Sequence, residues 1–336
     1  MKIQKTLLGL CIGLTIMTQA ACSKQSGEPD ADTSGSVDTI LTDTPGEDAS
    51  EAGTGEIEKD TPAGNNAGSA QADAAGDDDL LKELETFDTL ADIPELLSFI
   101  NKNIRTASPE NASAMLMRME ELQLEARQEL EELYMPEVIQ SSLQKDFLED
   151  MDLSKLEKTQ DADFSGLLKL TLDSGYRLEQ AEGFFFPVLD YSVYEAYSAY
   201  AMPEVTAYLD IMAVESEQIF AKDAALIIGW DEVINRTLAL ELFLKTYGAS
   251  DKTETIKELF QRYQSIAIYG LNNTPLFDYD TKLMAKEARK AYENAVAGSS
   301  DSAFLQMIKD FTEVAERNGY ILTEEVEQFR KEALAR

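Results

Sequence analysis

Large apolar side chains fall into three regimes along the 336 residues. The chain opens with an apolar-dominated run from Leu7 to Met17, preceded by Lys2 and Lys5 and followed by Ala20-Ala21-Cys22. Between Ser23 and Asp78 the only large aliphatic residues are Val37, Ile40, Leu41 and Ile57, scattered among Gly, Ala, Ser, Thr, Asp and Glu. From Asp79 onward apolar residues recur at steps of three and four, the period of helices buried on one side. The expected fold is therefore all-α: an antiparallel helical array or bundle over 79–336, preceded by a disordered acidic linker. The length of the helical part also admits subdomains 79–158 and 159–336.

The helical part divides at recognisable caps and breaks. A first helix spans Ile93 to Ile104. Ser108-Pro109-Glu110 then supplies an N-cap, a Pro at the first helical position and an acid in the first turn. In the long helix that follows, Met115, Met119, Leu122, Ala126, Leu130 and Leu133 form one stripe, read as a core seam. Met135-Pro136 ends it, and shorter helices are expected over Val138–Leu148 and Leu167–Leu172. Phe184-Phe185-Phe186-Pro187 reads as an extended segment crossing the interior, because the residue before Pro is biased away from helix. Tyr191, Tyr194, Tyr197 and Tyr200 follow at steps of three. On an α-helix that spacing sweeps about half the circumference. Such a helix is either wrapped by neighbours on two sides or exposes some rings as a binding surface.

Pro203 opens a helix with Val205, Leu209, Met212 and Ile219 on one face and Tyr208 and Glu215 along its edge. Asp223 is expected to cap the next, which runs to Tyr247 and stops at Gly248. On that helix Leu226, Ile227, Trp230, Val233, Ile234 and Leu244 share one side, and Glu241 falls in the middle of it. A carboxylate there must be paired, protonated or facing a cavity. Arg236 lies on a different face, which leaves Lys222, Arg177 or a Tyr hydroxyl as its partner. Ser250 is read as the cap of a helix ending at Gly270. Leu271–Asp280 is a loop of turn formers with two exposed-looking apolar residues, the kind of segment that often carries function. Helices over Thr281–Ala297, Ala303–Arg317 and Glu324–Ala335 complete the array, the last pair joined at Asn318-Gly319. No strand shows convincing alternation.

Charge and cysteine usage give this array a setting. Basic flank, apolar core and small-residue end are the order of a secretion signal over residues 1–21, and the core is shorter than the roughly 20 residues of a membrane span. Ala20-Ala21-Cys22-Ser23 resembles the lipobox of bacterial lipoproteins, which implies cleavage before Cys22 and lipidation of its sulfur. An ordinary secretory signal cut near Ala20 or Ala21 is the alternative. The resemblance implies a chain held at the cell membrane by its lipid anchor, facing outside the cytoplasm. The mature chain would then carry 27 basic and 63 acidic residues, a net of −36 against −34 for the full sequence. Such a surface repels nucleic acid. The 22–78 linker, with 14 acidic and two basic residues, is expected to be a self-repelling spacer.

With no His, and no thiol left after removal of Cys11 and acylation of Cys22, imidazole and thiolate chemistry are excluded. No cofactor is implied. Asp30–Val37 and Asp161–Leu168 match the first eight positions of a calcium loop, but Leu41 and Leu172 stand where a carboxylate should close it, so no metal site is expected. The remaining chemistry is carboxylate and aromatic. Glu215 and Glu241 are the candidate acid and base for a carboxylate-only hydrolase acting on cell-envelope glycans, the less favoured reading. The favoured one is a membrane-anchored extracytoplasmic lipoprotein whose helical domain binds a protein partner, a cell-wall component or a small ligand. Its candidate ligand-binding residues are Tyr191, Tyr194, Tyr197, Trp230, Asp278 and Asp280, with Cys22 as the lipidation site.

Overall fold

Most helices form where the periodicity places them, and Ser or Thr side chains cap those that begin at Pro109, Ala303 and Glu324. The computed structural model describes residues 74–147, 162–181, 183–298 and 301–335. The segment 1–73, which holds the signal sequence, Cys22, most of the linker and the Asp30–Val37 motif, lies outside the described residues. Helices α1 (Ala74–Leu84), α2 (Ile93–Asn103) and α3 (Pro109–Tyr134) come first. Ser108 Oγ accepts from the Asn111 amide at the start of α3, as the Ser-Pro-Glu signature requires. Met115, Met119, Leu122, Ala126 and Leu130 are buried along α3, but its last turn buries Tyr134, leaving Leu133 42 % exposed. A further four residues past Leu130 falls on Tyr134, which therefore continues the seam. Helices α4 (Glu137–Phe147) and α5 (Ala162–Asp173) follow. Since α5 is helical from Ala162, the Asp161–Leu168 motif does not form a calcium loop.

The Phe184–Pro187 segment is not an isolated crossing. It is the second strand of a hairpin, with β1 (Tyr176–Ala181) paired antiparallel to β2 (Phe184–Leu189) and Tyr176 opposite Leu189. The hairpin lies against α3 and buries Tyr176, Leu178 and Phe185. Tyr191–Tyr194 is a 3₁₀ turn continued by the short helix α6 (Glu195–Ser198). Three residues per turn set Tyr191 and Tyr194 on one side, so they stack at 5.6 Å instead of fanning out, and both are buried.

Helix α7 (Pro203–Glu217) leads into a two-residue hairpin, β3 (Ala221–Lys222) and β4 (Ala225–Leu226). Asp223 and Ala224 form its turn at φ of 50° and 56°, so Asp223 does not cap a helix. Helix α8 (Trp230–Thr246) starts after Gly229, which leaves Leu226 and Ile227 outside it. Helix α9 (Thr253–Tyr269) begins three residues later than Ser250, whose hydroxyl accepts from the Lys252 amide in the preceding turn. The two helices pack against each other and carry the second half of the core. Helices α10 (Lys286–Val296), α11 (Ala303–Arg317) and α12 (Glu324–Ala333) pack onto them in sequence, α10 on α8 and α11, α12 on α11. All described elements belong to the unit Ala70–Arg336. Among the described residues the architecture is all-α with short antiparallel strand pairs, and no helix is long and apolar enough to cross a membrane.

Candidate ligand site

Helix α9 ends at Gly270, whose φ of +73° is the left-handed conformation that lets the chain reverse. A Cβ here would lie 2.4 Å from the Thr274 carbonyl oxygen and 2.5 Å from the Leu276 amide nitrogen, so the turn requires glycine. The chain then forms the small hairpin β5 (Gly270–Leu271) and β6 (Thr274–Pro275). Leu276 and Phe277, which look exposed in the sequence, are buried under it. The segment next makes a second reversal around Asp278. One carboxylate oxygen, Oδ1, accepts from the Thr281 amide at 2.7 Å, the Thr281 hydroxyl at 2.8 Å and the Asp280 amide at 3.1 Å. The Thr281 bonds, amide before hydroxyl, hold the Asp278 carboxyl below its usual range. The returning strand is tied to the α11–α12 connection, because the Leu322 amide donates to Lys282 O at 2.8 Å and the Met284 amide to Tyr320 O at 2.9 Å.

These reversals and Arg330 of α12 line an open cavity of about 260 Å³. Its wall combines Tyr269, Leu271, Pro275, Phe277, Tyr279 and Leu322 with Asn272, Asp278, Lys282 and Arg330. The Tyr279 hydroxyl donates to Asn272 O at 3.0 Å and Lys282 Nζ to Tyr279 O at 2.6 Å, so the two reversals brace one another. Arg330 is 7 % exposed. Its guanidinium carbon lies 4.0 Å from the Tyr269 ring centroid and 5.5 Å from that of Phe277, a stacked cation–π arrangement. Its charged contact is Glu327 Oε2, 3.2 Å from Nη1. The Nε–H is buried with no acceptor. Burial lowers the Arg330 pKa from its ordinary value.

The sequence-derived candidates are distributed differently. Asp278 lines the cavity, and Asp280 is exposed beside it with its amide on Asp278. Tyr191 and Tyr194 are inside the core, where the Tyr191 hydroxyl donates to Glu120 Oε1 at 2.7 Å and that of Tyr194 to Gln123 Oε1. Tyr197 is half-buried and donates to Asn101 Oδ1 at 2.9 Å. Trp230 is buried edge-on against Tyr292, with ring centroids 6.1 Å apart. None of these four lines the cavity.

Glu215 and Glu241 have separate structural surroundings. The Tyr263 hydroxyl reaches Glu215 Oε1 and Oε2 at 2.7 and 2.8 Å, and Arg236 Nη1 lies 3.3 Å from Oε1. Burial raises the Glu215 pKa above its ordinary value, opposed by Tyr263 and Arg236. Glu241 accepts from the Phe304 amide at 2.9 Å on Oε1 and from the Ser302 hydroxyl on Oε2. It therefore caps the start of α11, and neither Lys222, Arg177 nor a Tyr hydroxyl is its partner. Arg177 instead pairs with Glu179 at 2.9 Å.

Among the described residues no cluster of three His, Cys, Asp or Glu side chains could hold a metal ion. Arg330 was not singled out in the sequence, although a signal existed. It stands four residues after Val326 and next to Phe329, on the apolar face of α12, where a cation is as anomalous as Glu241 is on α8. No known family model matches the chain, and neither curated proteins nor solved structures provide a match.

Proposed function

We propose that the chain is an extracytoplasmic lipoprotein anchored through Cys22, and that its helical domain binds a small ligand in the cavity beneath the 270–284 segment. The observation that supports the binding half is a concavity of about 260 Å³ on whose wall the rings of Tyr269, Phe277 and Tyr279 meet the charged groups of Asp278, Lys282 and Arg330. The anchoring half rests on the lipobox-like Ala20-Ala21-Cys22 and the basic, apolar, small order before it. The acidic composition between Cys22 and the helical domain supports a spacer role for that segment.

Hydrolysis by a carboxylate pair has weaker support. Both oxygens of Glu215 and both oxygens of Glu241 are engaged, each pair by its own structural partners. Metabolic labelling with a fatty acid, followed by intact-mass analysis and detergent phase partition, tests the anchor. The wild-type chain is expected to take label and enter the detergent phase, and Cys22→Ser to do neither. Unchanged mass and partition in Cys22→Ser would remove the anchor from this reading.

A further inference from the structure

We propose that the cavity takes a small monocarboxylate with an apolar or aromatic body, its carboxylate seated on Arg330 with Lys282 assisting. This rests on the preceding reading of the cavity as a ligand site. The argument begins with what Arg330 lacks. A guanidinium carries five N–H donors, and a buried one is stable only when these find acceptors. In this fold Arg330 has one ion pair, at 3.2 Å to Glu327, and Glu327 also faces Lys331 at 3.5 Å. The ring faces of Tyr269 and Phe277 stabilise the charge but accept no hydrogen bond in the guanidinium plane. The Nε–H remains buried without an acceptor, as does that of Arg118, and of the two arginines only Arg330 lines the cavity.

The missing acceptor is an anion of defined shape. The fork of a guanidinium matches the two oxygens of a carboxylate, and the aromatic faces against it leave only the edge of the plane for that contact. Lys282 adds a second cation whose ammonium has donors beyond the one given to Tyr279 O. Asp278, kept ionised by its three donors, stands on the same wall and disfavours a dianion such as phosphate. The wall also carries Leu271, Pro275, Leu322 and the rings of Tyr269, Phe277 and Tyr279, which suit a hydrocarbon or aromatic body.

Titration calorimetry on the full chain in detergent, with a thermal melt beside it, tests the assignment. The probes are phenylacetate, 3-phenylpropionate and 4-methylpentanoate, the primary amide of each, and inorganic phosphate. The carboxylates are expected to bind saturably and raise the melting temperature, with the amides at least about tenfold weaker. Arg330→Met should abolish carboxylate binding, and Lys282→Met, at an exposed residue, should weaken it severalfold. Amides binding as well as acids would overturn the carboxylate assignment and leave the cavity reading standing. Phosphate binding more tightly than the acids, or carboxylate binding unchanged in both variants, would also overturn the assignment. If neither acids nor amides bind below about 10 mM, an affinity of only a few kcal/mol, the carboxylate proposal and the cavity reading fall together.

Discussion

Glu120 is the most deeply buried carboxylate among the described ion pairs, and its replacement tests how the two halves of the core are joined. Its side chain is 0 % exposed and comes from the middle of α3. Oε1 accepts from the hydroxyls of Tyr191 at 2.7 Å and Tyr208 at 2.5 Å, and Oε2 pairs with Lys252 Nζ at 2.5 Å. One side chain thus connects α3 to the 3₁₀ turn, to α7 and to the residue before α9. Burial first, with the Glu120 charge adding to it, holds the Tyr208 hydroxyl protonated well above its ordinary range. Glu120→Ala would strand two buried hydroxyls, at about 1–3 kcal/mol each, and break an ion pair worth about 3–5 kcal/mol when fully buried. Two features reduce the sum. Lys252 is 25 % exposed and can turn to water, and the two hydroxyls can bond to one another. The net cost is about 3–5 kcal/mol, a large part of the 5–15 kcal/mol typical of a whole domain. Glu120→Gln keeps an acceptor for both hydroxyls and loses the charge, so about 1–2 kcal/mol is expected. Adding Lys252→Met to Glu120→Gln should recover most of that loss, because an ammonium without a counter-charge is then no longer present. Urea midpoints at constant m-value measure all three. A Gln variant as damaged as the Ala variant, or a double variant whose losses simply add, would refute this account of the join.

Glu241→Ala should cost about 1–2 kcal/mol by removing the acceptor from the start of α11, and the Phe304 amide should lose hydrogen-exchange protection before the rest of that helix does. Unaltered protection at Phe304 would show that the cap is not what fixes α11. Glu215→Gln tests a pH effect. Because burial raises the folded pKa of Glu215 above its ordinary 4.5, the folded state holds the proton more tightly. Wild-type stability from this group is full below the ordinary value and falls as pH rises through the raised one. Gln cannot titrate, so the wild-type advantage over Glu215→Gln should shrink as pH rises from about 4 to about 7. A gap in urea midpoint that stays constant with pH would contradict it.

Helix positions were legible wherever local chemistry fixes them. Ala303–Arg317 appears with the bounds that its apolar steps give, and Gly319 closes the α11–α12 turn at φ of +64°, as Asn318-Gly319 implies. The failures share one physical character. Asp223 and Ala224 take left-handed angles without a glycine, so the turn left no mark in the sequence and Asp223 looked like a cap. The hairpin of 176–189 has its alternation in Tyr176 and Leu178 but loses it in the Phe184–Phe186 run, where aromatic residues stand on both faces. Glu241 was visibly out of place on α8. Its partners stand 61 and 63 residues further along, a distance over which periodicity carries no information. For the same reason Asp278 could be marked from its loop, while Arg330 could be seen only as a cation on the apolar face of α12, with nothing in the sequence to bring it to that loop.

Several of the buried polar side chains join one element to another. Gln140 donates to the Tyr134 and Phe185 carbonyls and accepts from the Phe185 amide, fastening the hairpin to the end of α3. Gln123 donates to Ser174 O at 2.8 Å and accepts from Tyr194, holding the α5–β1 turn and the 3₁₀ turn. Arg236 gives Nε to Glu232 and Nη1 to Gln218 O, Tyr263 and Glu215, binding α7 and α9 to α8. In each case an irregular segment with unpaired backbone or hydroxyl groups meets a helix, and the helix supplies a polar group at an otherwise apolar position. That rule removes most of the carboxylates and aromatic residues that a sequence alone suggests as a site, since their polarity serves the fold. Arg330 breaks the rule. It occupies an apolar-face position, is as buried as the others, and joins no irregular backbone segment to its helix. A fold that satisfies its other buried cation, Arg236, through four partners has left this one with a single ion pair beside a cavity, and that contrast within the same core is why Arg330, and not Glu215 or Glu241, is the residue proposed to meet a ligand.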